Sequence, residues 1–355
     1  MPTPIGTYTL SDLRANRFQS LTDFGIDNIN AILQRDLENH NAIVAELTSE
    51  LADRTTDKQR IYGASIDGDM VLVDEFARSA TKKPAVGSGV GFPLNNFQYP
   101  VGWDERWVKR ATVGELAERV LAAETAHQKA QRREIKKALY LSTNYTFRDI
   151  NSAPIVDLAV KRLVNADSMA IPNAPDGSTF TASSHTHYLG TATLTAAGFT
   201  AAINTVIEHG YGERMISAIN YADEAAVRLL TGFVPAQDFR VVAASTTAHT
   251  IETMNPGSYY NRFIGIFGAS EVWIKPWAIA NYVFTWDASS VMKPLVYRED
   301  TVAGFQGLRL AATLDTYPLY AQYFEAMFGF GVWNRTNGSA WYFANATYAD
   351  PTITI

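Results

Sequence analysis

The residues best suited to chemistry are two histidines one residue apart, His185-Thr186-His187. Residues two apart on an extended strand share a face, so both imidazoles could meet a single metal ion. A metal site needs a third ligand, and none lies at a recognisable spacing. The expected reading is a polar loop with two hydrogen-bonding histidines, without metal or cofactor. A soluble metal-dependent enzyme using His185 and His187 is the rival from another class. Gly87-Ser88-Gly89-Val90-Gly91 has the glycines of a phosphate loop but lacks the Lys-Ser/Thr and the helix start that would aim a dipole at a phosphate. Asp67-Gly68-Asp69 opens like a calcium loop, but Met70 to Phe76 supply neither alternating oxygens nor a closing Glu. There is no Gly-x-Ser-x-Gly, His-Glu-x-x-His or Walker pattern. The adjacent carboxylates Asp74-Glu75 and Glu299-Asp300 read as solvated loop or strand ends. With no cysteine, thiolate nucleophiles, disulfides and Cys-ligated zinc are all excluded. No enzyme is expected.

The elements that would position side chains are better signalled. The chain has 355 residues, 47% hydrophobic and 19% charged, which is ordinary globular material for two lobes or one elaborated domain. A formal charge of −6 argues against a dedicated nucleic-acid binder. No apolar run is long enough to span a bilayer, and the first residues lack a secretory signal, so assembly in a cytoplasm is expected. Asn144, Asn334, Asn337 and Asn345 stand in Asn-x-Ser/Thr triplets and are expected to serve turns and strand ends.

Ile26, Ile29, Leu33, Leu37, Val44, Leu47 and Leu51 form one apolar stripe, so Ile26 to Leu51 reads as a helix with His40 on its packed face. Asp67-Gly68 signals a hairpin between Ile61–Ile66 and Met70–Phe76. From Phe76 to Trp103 there is no carboxylate, while Arg78, Lys82 and Lys83 make the stretch positive and Pro and Gly punctuate it. Loops of this length are usually functional, so this one reads as an extended arm, its base held by Trp103 and Trp107 or these tryptophans meeting a neighbour.

Thr112-Val113-Gly114-Glu115 is a capping box that opens a long helix over Val113 to Leu141. Its first half carries Glu115, Glu118 and Glu124 against Arg119, and its second half Lys129, Arg132, Arg133, Lys136 and Lys137 against Glu134. That order complements the helix dipole and leaves a basic side for solvent, a partner chain or packaged polyanion. An α+β region follows, with a helix over Thr193 to His209, a strand Met215–Ile219, a helix Asp223–Leu230, and strands Arg240–Ala244, Phe263–Phe267, Glu271–Ile274, Tyr282–Trp286 and Leu295–Tyr297. A closing hairpin, Phe328–Thr336 with Ser339–Tyr348, is expected around Asn337-Gly338, with Trp333, Trp341, Tyr342 and Phe343 filling a core.

This order of parts resembles the major capsid proteins of tailed bacteriophages, the Hong Kong 97-type capsid fold. Asp176-Gly-Ser-Thr-Phe-Thr-Ala-Ser-Ser-His-Thr-His-Tyr188 is similar to the loop before the axial lobe in some of them. Trp286-Asp-Ala-Ser-Ser290 with Lys293-Pro-Leu-Val-Tyr-Arg-Glu-Asp300 is similar to the late part of that lobe. Phe328-Gly-Phe-Gly-Val-Trp-Asn-Arg-Thr-Asn-Gly338 is similar to the return into the peripheral lobe.

The resemblance implies an α+β chain divided into an N-terminal arm (1–60), an extended loop and its base (61–111), a peripheral domain with the spine helix (112–190), an axial domain (191–317) and a return (318–355). It implies self-assembly into pentamers and hexamers around double-stranded DNA held non-specifically, in a virion. A separate scaffolding protein, a portal and a cement protein are the further partners, with no membrane. Arg78, Lys82, Lys83, Phe92 and Phe97 of the loop would contact a neighbouring subunit. Lys129, Arg132, Arg133, Lys136 and Lys137 would face DNA or a neighbour. Some members crosslink a loop lysine to a neighbour's asparagine; Lys82 or Lys83 with Asn334 or Asn337 would be the groups, though lysines on an exposed loop are commonplace and no crosslink is expected. An encapsulin-like shell and a minor virion or decoration protein are the nearer rivals.

Overall fold

In the computed structural model, residues 18–20, 26–63, 72–73, 75, 87–236 and 261–353 are described. The chain runs α1 (Ile26–Ser49), β1 (Ala52–Thr55), β2 (Gln59–Tyr62), β3 (Ser88–Gly91), β4 (Asn95–Asp104), α2 (Glu105–Arg110) and α3 (Val113–Tyr140). After these come β5 (Tyr145–Asp149), β6 (Val156–Val160), β7 (Tyr188–Gly190), α4 (Ala196–Ile207), β8 (Met215–Ile219), α5 (Glu224–Arg228) and β9 (Phe233–Pro235). The remainder is β10 (Arg262–Phe267), β11 (Ser270–Ile274), β12 (Tyr282–Asp287), β13 (Leu295–Glu299), β14 (Leu308–Thr316), β15 (Leu319–Val332) and β16 (Ser339–Tyr342).

The spine α3 forms where its signals lie. The Thr112 side chain accepts from the Glu115 amide, and the Glu115 carboxylate accepts from the Thr112 amide. These bonds satisfy amide donors that a helix start otherwise leaves orphaned. The 28 residues of α3 make a rod of about 42 Å. On one side α1 packs through Ile32, Leu37 and Val44, all nearly inaccessible to solvent. On another lies a five-stranded sheet in the order β1-β13-β15-β14, with β4 also paired to β15. A second sheet of seven strands, β7-β16-β12-β8-β11-β10-β9, carries α4 against β12 and β16. One apolar core joins α1, α3 and the first sheet to Phe284 and Trp286, and another fills the space under α4. Core and interior packing explain most of the aromatic residues, including Trp341 and Phe343.

Several expectations change. Phe328–Thr336 and Ser339–Tyr348 do not form a hairpin: β15 pairs with β13, β14 and β4, whereas β16 pairs with β12 and β7. Asn337-Gly338 lies in a crossing between sheets, because the Asn337 side chain is consumed by the Asp287 backbone, accepting from its N–H at 2.8 Å and donating to its carbonyl at 3.1 Å. The hairpin that does form is β14–β15, joined through Tyr317-Pro318. β13 and β14, assigned from sequence to the axial region, are strands of the first sheet. Glu299 and Asp300 are buried rather than solvated, Glu299 through its ion pair with Arg54 at 3.2 Å. The hairpin at Asp67-Gly68 and the strand at Arg240–Ala244 fall outside the described residues.

Candidate functional site

The expected arm begins and ends elsewhere than the proline and glycine pattern suggests. β2 and β3 pair antiparallel, Tyr62 opposite Ser88, and most of the segment between them lies outside the described residues. The segment after β3 turns back into the molecule: β4 pairs with β15 over its whole length, Asn95 opposite Phe328 and Asp104 opposite Leu319. Phe92 therefore has no surface left for a neighbour; it is wholly enclosed with Tyr62, Val90, Met169 and Val296 of its own chain. Phe97 is half-buried on Phe328, ring centroids 4.7 Å apart, with the Arg133 guanidinium 5.6 Å from its centroid. Phe92 is thus a packing residue of its own chain, whereas Phe97 keeps part of its surface open. Arg78, Lys82 and Lys83 lie outside the described residues. Trp107 packs against Trp103, ring centroids 5.7 Å apart, and under Arg119, whose guanidinium sits 3.8 Å from its ring centroid.

Asn334 and Asn337, the asparagines considered for a crosslink, are buried. Asn334 donates to the Tyr211 hydroxyl at 2.8 Å and the Met292 carbonyl at 3.0 Å. An amide committed in this way has no route to a neighbour's lysine.

The five basic residues of the spine divide into two groups. Lys137 and Arg133 both reach Glu134, at 2.8 and 3.3 Å. Lys129 and Arg132 are exposed, and Lys136 is half-buried, its pKa lowered by burial and by Arg132. The outward charge is thus Lys129, Arg132 and Lys136. Arg132 lines an open cleft of about 490 Å³ with Lys275, Trp277 and Thr48.

The histidine pair has company that its sequence neighbourhood does not announce. His185 and His187 lead into β7, and His209 follows the C-terminal end of α4, whose N-terminus is capped by the Thr195 side chain on the Gly198 amide. The three Nε2 atoms converge: 3.2 Å between His185 and His187, 3.1 Å between His185 and His209, and 3.0 Å between His187 and His209. The Nδ1 of His187 donates to the Gly338 carbonyl at 2.6 Å, and a Glu208 carboxylate oxygen lies 3.6 Å from His185 Nε2. Phe180 covers the cluster, its ring centroid 4.1 Å from that of His209 and 4.8 Å from that of His185. Burial disfavours the charged form of all three rings: it pushes His187 well below the ordinary histidine range, His185 down, and His209 down to about 4 with help from His185. The third ligand missing from the sequence reading is therefore His209. Its separation from the pair matches no short zinc pattern, so only the folding of α4 against β16 reveals it.

No protein-family model matches the chain, and no curated protein sequence matches it. Solved structures do. A chain of Mycobacterium phage Patience superposes with a TM-score of 0.65 at 18% identity, covering 98% of this chain and 96% of that one. The capsid of a native GTA particle gives a TM-score of 0.47 at 14% identity, over 84% of this chain and 89% of that one. The SrpI encapsulin of Synechococcus elongatus PCC 7942 gives 0.43 at 12%, over 90% and 92%. The agreement with the Patience chain takes in nearly the whole length of each partner, and this protein has the Hong Kong 97-type capsid fold.

Proposed function

We propose that this chain is the major capsid protein of a tailed bacteriophage, a non-enzymatic shell subunit of the virion that assembles into pentamers and hexamers around double-stranded DNA. The observation that carries the reading is the whole-length likeness to the phage Patience chain, 98% of this chain and 96% of that one. Fold alone does not fix function, so the surfaces must agree with the assignment. Between β2 and β3 the sequence carries Arg78, Lys82 and Lys83 with no carboxylate after Glu75, a cationic run suited to meet a neighbour in a protein of charge −6. Complementary charge of this kind sets register and partner choice more than raw affinity. Contacts between unlike surfaces that close into rings give capsomers. Lys129, Arg132 and Lys136 supply a basic face for a neighbour's carboxylates or for packaged phosphate. A separate scaffolding protein, a portal and a cement protein complete the proposed set of partners.

Electron microscopy of the expressed protein, alone and with neighbouring viral genes, tests this. Closed shells built of rings are expected, and replacing residues 64–86 by a short Gly-Ser linker is expected to leave folded subunits that no longer close. A wild-type protein that stays monomeric under every condition would overturn the proposal, and shells filled with protein instead of DNA would mark a cargo compartment. Changing Lys129, Arg132 and Lys136 together to Gln is expected to impair assembly or genome retention; unchanged particles would remove that face from the account.

A further inference from the structure

Three imidazole nitrogens meeting at one point is an arrangement that hydrogen bonding does not account for. Each facing pair needs one donor and one acceptor, and a ring of three always leaves at least one pair alike. His187 adds a further constraint. Its Nδ1 faces the Gly338 carbonyl at 2.6 Å, which only accepts, so Nδ1 carries the proton and the Nε2 of the neutral ring presents a lone pair to the cluster. A buried histidine whose far nitrogen is fixed by a backbone carbonyl is the arrangement of a metal ligand with its outer partner in place.

We propose that His185, His187 and His209 bind one zinc ion through their Nε2 atoms, with the Glu208 carboxylate as fourth ligand, and that the ion staples two distant segments of the chain, 185–187 and 208–209. The distances suit zinc. Bonds of about 2.0–2.1 Å in a tetrahedron place ligand nitrogens roughly 3.3–3.4 Å apart, and the three separations here are 3.0, 3.1 and 3.2 Å. Breathing outward by a few tenths of an ångström accommodates the ion. The ligand atoms of all four residues lie within 4.8 Å of one another, and the half-exposed Glu208 side chain is free to close the remaining gap. Nitrogen donors select against calcium and magnesium, which take oxygen ligands. A closed set of four protein ligands is that of a structural rather than a catalytic zinc.

The staple has a purpose in this fold. Residues 161–187 run between β6 and β7 without a helix or a strand, an unusually long irregular stretch for the interior of a domain. The ion would fasten the end of that stretch to the C-terminus of α4 and, through His187, to the crossing at Gly338. This inference is independent of what the shell encloses.

The test uses the untagged full-length protein, equilibrated with zinc, desalted and analysed by mass spectrometry of the metal. About one zinc per chain is expected in the wild type and in the control His127→Gln, whose histidine lies elsewhere. His185→Ala, chosen because that ring is partly exposed whereas His187 is fully buried, and His209→Ala are expected to lose it, with circular dichroism unchanged for His185→Ala. Cobalt substitution is expected to give the intense visible bands of a four-coordinate nitrogen and oxygen site in the wild type only. Zinc is expected to raise the Tm of the wild type and not of His185→Ala. The proposal is overturned by wild-type zinc no greater than that of His185→Ala, or by equal zinc in all variants. Unaltered zinc affinity in Glu208→Gln would remove the carboxylate as fourth ligand.

Discussion

His40 and His127 show how a single side chain is tuned by what surrounds it. His40 on α1 faces His127 on the spine, Nε2 to Nδ1 at 3.0 Å, and the far nitrogen of His127 lies 3.2 Å from the Gln131 amide. With Gln131 donating to His127 and His127 donating to His40, the remaining N–H of His40 faces Glu124 at 3.7 Å. No place is left for an added proton. Burial and the facing His40 press the His127 pKa down to about 3, while burial and the neighbouring Asp36 lift Glu124 to about 7. The two act in opposite directions on stability. For His127 the unfolded chain binds the extra proton between about pH 6.5 and 3, so stability falls as the solution is acidified through that window. For Glu124 the folded chain binds it between 7 and 4.5, so stability rises there. Their effects largely offset down to pH 4.5, and the loss emerges below it. His127→Gln is expected to flatten the decline of Tm between pH 4.5 and 3.5. Parallel profiles for wild type and variant would show that the histidine does not carry it.

The strand β15 shows how a short pattern builds an element. Phe328 and Phe330 point into the core, while Gly329 and Gly331 face the chain entering β4. A Cβ on Gly329 would stand 2.0 Å from the Pro93 carbonyl oxygen, and one on Gly331 2.6 Å from Phe92 Cδ1. The alternation of large and absent side chains is what lets residues 92–93 cross at contact distance. Gly329→Ala must push that crossing away, at a cost of about 1–3 kcal/mol for overpacking. Gly304→Ala, where a Cβ meets nothing within 4 Å, is the matched control. Urea unfolding is expected to show a lowered midpoint for the first and little change for the second; equal midpoints would mean the crossing yields freely. The capping box, the spine and the strands β8, β10, β11 and β12 of the second sheet were legible from local sequence. The β14–β15 hairpin was not, because Tyr317-Pro318 is not a strong hairpin dipeptide, even though Leu308, Leu310, Ala312 and Leu314 alternate as strand residues do.

At the scale of the molecule, the buried pair Arg298–Asp149 gathers three regions. Arg298 on β13 meets the carboxylate that ends β5 at 2.6 Å, the Phe92 carbonyl at 2.7 Å and the Ser152 hydroxyl at 2.9 Å, with neither charged side chain more than 1% exposed. One guanidinium thus ties the first sheet, the β5–β6 ribbon and the chain leading into β4. Removing one partner of such a pair leaves an uncompensated buried charge and costs about 3–5 kcal/mol. Asp149→Ala is expected to lose stability of that order in urea unfolding, and Asp149→Ala with Arg298→Met to recover much of it. A single variant within 1 kcal/mol of the wild type would show that the region takes up water or rearranges.

The sequence by itself determined the long helices, the strands β8, β10, β11, β12 and β13 and the order of parts that implied the capsid fold, because caps, periodicity and turn residues act over a few neighbouring positions. It also determined that thiol chemistry is absent. Only the tertiary structure decided that β15 and β16 part into different sheets, that Phe92 is interior, that Asn334 and Asn337 are spent on Tyr211, Met292 and Asp287 of their own chain, and that His209 joins His185 and His187. Each of these depends on which distant segments share a surface. That is settled by burying apolar area across the whole chain at once, and local pattern carries no record of it.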